Sequence, residues 1–325
     1  MLDNGKLTLY YDKEKKNRQG TILLKSEWAD HADEITECVI DPSFANCKPI
    51  NLNFFFEGLN NMKSIKGLDN FNTSNVTGMC MLFHDCSSLM SLDLSSFNTS
   101  NVTDMSGVFE NCSSLTSLDV SSFNTSNVTH MNSMFGNCSA LTNLDVSGFN
   151  TSNVVSMTYM FDGCSSLTSL DVSSFNTSNV TYMSGMFANC SSLTSLDVSG
   201  FNTSNVTKMD RMFYNCSSLT TIYADEKEWN TSNITNGDNM FAYCSKLVGG
   251  NGTAYSDGNW GLEYARIDKE GSPGYLTIKT ETGIQLPKAM GMEVGVWYTL
   301  DGRRLDAQPT AKGLYINQGK KILVK

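Results

Sequence analysis

The stretch "LTSLDVSSFNTSNVTHMNSMFGNCSA", residues 115–140, returns in close variants every 26 residues over most of a 325-residue chain. Cys86, Cys112, Cys138, Cys164, Cys190 and Cys216 stand 26 apart, and Cys244 follows after 28, so the last unit carries a two-residue insertion near "DEKEWN". Phe97, Phe123, Phe149, Phe175 and Phe201 keep the same step; Phe71 opens the series and Trp229 closes it. A fixed period outranks chain length as a guide to the fold, because repeat arrays grow along one axis and not around a single core. The array runs from about residue 65 to 248.

Within one unit, Leu115, Leu118 and Val120 are apolar while Ser117, Asp119 and Ser121 are polar. This period of two predicts a short strand with one face inside and Asp119 facing solvent. Val128, Met131, Met134 and Phe135 follow at three-to-four spacing, which predicts a short helical or 3-10 segment whose start Thr125, Ser126 or Asn127 would cap. The apolar side chains of a single coil cannot offset the conformational entropy of ordering it, so the units must stack and bury their apolar columns against neighbours. The expected fold class is an α/β solenoid with a parallel sheet on one face, short helices or 3-10 segments on the other, and caps at both ends.

Residues 1–64 lack the period, yet "KLTLYY" and "TILLKS" alternate as strands, which makes this segment the N-terminal cap. Residues 249–280 are rich in Gly, Asn and Asp and read as a C-terminal cap of turns and a closing strand. In the tail, 281–325, "GVWYTL-DG-RRL" and "GLYIN-QG-KKILVK" each place a turn pair between alternating apolar runs, the signature of a β-hairpin.

A net charge of -10 and a lack of clustered Lys and Arg in the repeats argue against nucleic acid as a partner. No run of 18 apolar residues offers a membrane-spanning segment. The opening "MLDNGKLTLYYDKEKK" has no charged-then-apolar leader pattern, and the expectation is a secreted or outer-surface protein whose signal peptide has been trimmed.

Enzyme chemistry finds little to use. Only His31, His84 and His130 are present, none at metal-ligand spacing from Cys or another His, and no phosphate-binding glycine loop appears. The Cys column has two readings: disulfides between coils in an oxidising compartment, or buried free thiols acting as small apolar fillers, which is the preferred one. Cys38, Cys47 and Cys80 lie outside the column, and a Cys38–Cys47 bridge within the cap is a further option. The Met and Phe columns read as core, and no cofactor is needed to explain them. Asn124, Thr125, Ser126 and Asn127 read as hydrogen-bond ladders that satisfy turn backbone, although they also form N-x-[ST] triplets.

The column pattern Leu-x-x-Leu-x-Val-x-x-Phe-Asn-Thr-Ser-Asn-Val-Thr-x-Met-x-x-Met-Phe-x-Asn-Cys resembles the 26-residue surface-protein repeat of the BspA-like leucine-rich-repeat family. "GKLTLYYDKE", "VIDPSFANCKP", "KLVGGNGTAY" and "EYARIDKEGSPGYLTI" resemble the modules that flank it. The resemblance implies a right-handed, leucine-rich-repeat-like solenoid on a secreted or surface protein of bacteria, linked to adhesion to host extracellular-matrix protein or to other cells. The tail "YTLDGRRL...KGLYINQGKKILVK" resembles C-terminal sorting signals of the type IX secretion route.

Two surfaces are candidates for recognition. Asp93, Asp119, Asp145, Asp171 and Asp197 form an outward column in which like charges about 4.8 Å apart repel by about 0.9 kcal/mol in water. Hydrogen bonds from neighbouring serines, with raised pKa values, would offset that repulsion; so would Ca²⁺ along Asp119, Asp145 and Asp171, or a ligand with regularly spaced hydroxyl or cationic groups. On the other side, Asp104, His130, Ser156, Tyr182 and Lys208 occupy one varied column, Gly107, Ser133, Tyr159, Gly185 and Arg211 a second, and Glu110, Gly136, Asp162, Ala188 and Tyr214 a third. Tyr159, Tyr182, Arg211 and Tyr214 are residue types favoured in interfaces. The functional expectation is a non-enzymatic adhesion protein for a host extracellular protein or glycan; a structural spacer or self-association module is the alternative.

Overall fold

The computed structural model describes residues 1–13, 21 and 24–279, together with the strand residues 297–298, 304–305, 313–317 and 320–324. Each 26-residue unit forms one coil that lies against the next, and the backbone bonds joining coils concentrate in residues 129–137 and their equivalents. Thr129 donates to Thr103 O at 2.8 Å, while Met131, Ser133, Phe135 and Asn137 donate to the carbonyls of Ser156, Thr158, Met160 and Asp162 at 2.6–3.0 Å. The N–H groups in between close local turns: Met134 to Met131, Gly136 to Ser133 and Cys138 to Phe135.

This alternation corrects the expected helical or 3-10 segment, which is a run of turns in the coils. Its cause is a pair of left-handed residues in every coil. At one position φ is 50° for Ser133, 57° for Tyr159 and 57° for Arg211; four residues on it is 62° for Asn111, 55° for Asn137 and 57° for Asn189. A left-handed residue turns the chain out of the helical path before an i to i−4 ladder can propagate, and it aims alternate N–H groups at the neighbouring coil. The expected sheet also moves. Parallel bridges link Gly78, Asp104, His130, Ser156, Tyr182, Lys208 and Asn236 in succession, on the side that the spacing assigned to helices.

The Leu115–Val120 stretch keeps the predicted alternation, with Leu118 and Val120 buried and Ser117 and Asp119 exposed, but in the middle coils it is extended without forming a ladder. Asp119 itself accepts the N–H of Ser121 at 2.9 Å, which removes one amide from pairing. The stretch becomes a laddered strand toward the C-terminal end, where β5 (Ser195–Asp197), β6 (Thr221–Ala224) and β7 (Leu276–Ile278) pair in parallel. There "TIYA" supplies β-branched and aromatic residues in place of "SLDV".

At the other end, β1 (Leu2–Asp3) pairs antiparallel with β2 (Lys6–Leu9), which continues in parallel with β3 (Glu37–Ile40) and β4 (Ser64–Lys66). The tail contributes a separate sheet of β8 (Trp297–Tyr298), β9 (Arg304–Leu305), β10 (Gly313–Asn317) and β11 (Lys320–Val324), in the order β11-β10-β8-β9. Both pairs expected as hairpins, β8 with β9 and β10 with β11, are antiparallel.

One aromatic column runs through the core. Phe56, Phe83, Phe109, Phe135, Phe161, Phe187, Phe213 and Phe241 stack with centroids 5.4–5.9 Å apart and planes within 13°. Tyr275 closes it edge-on at 5.3 Å. The Met and Phe columns are thus core, as expected.

The Asn-Thr-Ser-Asn turns tie coils as predicted. The buried Thr125 hydroxyl accepts the N–H of Asn150 at 2.8 Å and donates to the carbonyl of the same residue at 3.0 Å. Ser126 folds back on Asn124 Oδ1, and Asn127 Nδ2 donates to Ser100 O at 2.7 Å. In the C-terminal segment, buried Asp268 accepts the N–H groups of Asn251 and Thr253 and the Thr253 hydroxyl.

Candidate functional site

The bridged column and the residues two further on line one face, with Ser156 Oγ 3.2 Å from Thr158 Oγ1. Ser156 stands with Thr158, Tyr182 with Ser184, and Lys208 with Asp210; with Asn132, Ser133, Tyr159 and Asn236 they line an open groove of about 500 Å³. Tyr182 is 40% exposed, and Lys208 Nζ lies 5.8 Å from the centre of its ring. Ser184 donates to Asp210 Oδ1 at 2.6 Å, while Asn132 Oδ1 accepts the Thr158 N–H at 3.2 Å and the Ser156 hydroxyl. Tyr159 holds its left-handed backbone at the groove wall, with its ring over Gly185: a Cβ at Gly185 would fall 2.1 Å from Tyr159 Cε1.

The structure therefore brings together two of the four interface residues singled out from the sequence, Tyr159 and Tyr182. The others form a separate cluster, with the Arg211 guanidinium 5.8 Å from the centre of the Tyr214 ring and Tyr214 edge-on to Tyr243 at 5.3 Å. Sequence reasoning missed Asn132, Thr158, Ser184 and Asp210. A period of two starting at position 130 would have found them, but the three-to-four spacing of the apolar residues masks it.

Among the aspartates, Asp93, Asp119, Asp145 and Asp171 are exposed as predicted, and each accepts the N–H of the serine two residues on at 2.9–3.1 Å. The hydroxyl and N–H of those serines hold the four carboxyls below the ordinary value of 3.8, which reverses the expected upward shift: repulsion between neighbouring aspartates is the smaller effect. For Asp197, burial pushes upward, but hydrogen bonds from Lys279 (2.6 Å) and Ser199 bring the net shift down. Among the described residues no three His, Cys, Asp or Glu side chains stand together where they could hold a metal ion.

All ten cysteines are free thiols. Each in the column donates to the phenylalanine carbonyl of a neighbouring coil, as Cys138 does to Phe109 O at 3.1 Å and Cys164 to Phe135 O at 3.1 Å. Burial pushes Cys112, Cys138, Cys164 and Cys190 well above the usual thiol range and Cys86 up to about 12. In the first coils His84 is ringed by acids, with Nδ1 at 3.3 Å from Asp85 and 3.6 Å from Glu57, and Nε2 at 3.7 Å from Glu110.

The repeat sequence matches the family described as "Mycoplasma protein of unknown function, DUF285" over residues 50–169 and 139–251. The chain belongs to DUF285. Two solved structures are similar to this DUF285 chain. One is a leucine-rich repeat protein from Eubacterium ventriosum, 16% identical, covering 80% of this chain and 95% of its own with a TM-score of 0.30. The other is a leucine-rich cell surface protein from Faecalibacterium prausnitzii, 18% identical, covering 72% and 83% with a TM-score of 0.20. No curated protein matches the DUF285 chain. Among its described residues no helix is long and apolar enough to cross a membrane.

Proposed function

We propose that this chain is a secreted or surface-exposed bacterial binding protein that recognises a host matrix protein or a glycan through the varied face of a right-handed, leucine-rich-repeat-like solenoid, without catalysis. The observation that carries this reading is the groove. Its floor and wall come from columns that change identity from coil to coil, whereas the opposite face repeats Ser, Asp and Ser nearly unchanged. Tyr182, exposed beside Lys208, has the amphipathic surface that interface anchors use. The resemblance of the repeat to BspA-like surface proteins supports an extracellular partner, and the resemblance of residues 281–325 to type IX sorting signals supports export.

A binding screen of the full chain against matrix proteins and glycans tests the reading with two variants, Lys208→Glu in the groove and Ser147→Arg on the opposite face. Saturable capture that Lys208→Glu weakens and Ser147→Arg leaves intact is the expected result. Capture that only Ser147→Arg weakens would overturn it. Concentration-dependent oligomers with no captured partner would favour the spacer.

A further inference from the structure

We infer that the groove is a subsite for a neutral, extended oligosaccharide, with Tyr182 as the stacking platform and Tyr159 as a preset wall; this deepens the proposed function and rests on it. Three observations lead to it. The first is the backbone. Along the groove the N–H groups of Met157, Tyr159, Met183 and Gly185 are bonded to the next coil at 2.8–3.0 Å. A peptide laid there finds no ladder to extend, so recognition falls to side chains.

The second is unspent side-chain capacity. Among the described residues no protein group hydrogen-bonds the carboxamide nitrogens of Asn132 and Asn236, Lys208 Nζ or the second oxygen of Asp210, while the Asn132, Asn236 and Asp210 oxygens already in use are held at 2.6–3.3 Å. The face thus offers fixed donors, an acceptor and an aromatic plane, with one cation and one anion that cancel. Sugars present hydroxyls around their edges and an apolar C–H face, which is the complement of that set. Bridged coils repeat about every 4.8 Å, close to the step of successive sugars in an extended chain, and the four bridged steps from His130 to Asn236 give a floor about 19 Å long.

The third is preorganisation. Tyr159 takes the left-handed position of its coil at φ 57°, as Ser133 and Arg211 do in theirs, and Gly185 in the next coil leaves room for its ring. Fixing the ring before binding lowers the entropic cost of recognition.

Titration calorimetry of the full chain against cello-, malto-, xylo-, manno- and chitohexaose, with a proline-rich peptide as comparator, tests the inference. Saturable binding of at least one hexaose is expected, weakened about tenfold or more by Tyr182→Ala and largely restored in Tyr182→Phe, with circular dichroism unchanged. Binding of no hexaose, or equal binding by Tyr182→Ala, would overturn it, as would Tyr182-dependent binding of the peptide alone. If no hexaose binds while the screen captures a partner sensitive to Lys208→Glu, the glycan assignment fails and the proposed function stands. If the screen also captures nothing, both fail.

Discussion

The fold rests on small polar side chains whose hydrogen bonds cross from coil to coil. Thr125 satisfies both the N–H and the carbonyl of Asn150. Thr125→Val keeps the shape and removes both bonds, so a loss of roughly 1–3 kcal/mol is expected in urea titration, whereas Ser126→Ala, at the outer edge of the same turn, should stay within about 0.5 kcal/mol. Gly185 makes a different kind of claim. At φ 60°, with its Cβ direction occupied by the Tyr159 ring, Gly185→Ala should cost roughly 1–3 kcal/mol. Because the clash is with one ring, Tyr159→Gly in the same chain should recover part of that loss, and a double-mutant cycle of melting temperatures would show the coupling. Additive effects would mean that the ring does not hold the position.

At the scale of the element, the sequence was a reliable guide to burial and a poor one to hydrogen bonding. The apolar columns around Leu118, Val120, Met131, Met134 and Phe135 are buried as the pattern predicts. The same pattern mispredicts the secondary structure of the Val128–Phe135 segment, since left-handed residues of many types, Tyr159 and Arg211 among them, replace an expected helix with turns. Side-chain identity carries little signal for that geometry, so the groove it builds was only half legible: Tyr159 and Tyr182 could be picked out, but their partners Ser184 and Asp210 could not.

The aspartate column yields a prediction about pH. With carboxyl values lowered in the folded state at Asp93, Asp119, Asp145 and Asp171, the stabilising contribution is present above the unfolded value and is lost as pH falls through the folded one. Stability should therefore decline as pH falls through and below the ordinary carboxyl value of 3.8, and replacing the four aspartates by asparagine should flatten that part of the urea-midpoint profile. For the thiols, burial of the seven column cysteines and of Cys38 limits native labelling by a disulfide reagent to Cys47 and Cys80, the two half-buried ones; the other eight should react only on unfolding. Fast native labelling of Cys138 or Cys164 would contradict the buried column.

For the whole molecule, successive coils contact their neighbours and share one aromatic core, so the stack presents two long faces of different character. The face carrying Asp119 and its equivalents is nearly constant, while the bridged face varies and contains the groove. In the proposed function, recognition belongs to the second face. Hydrogen exchange of the full chain, with and without a partner captured by the binding screen, measures this directly. Slowed exchange is predicted in residues 130–136, 156–162, 182–188 and 208–214, with residues 116–122 and 142–148 unchanged. Protection confined to the latter two stretches would contradict the account.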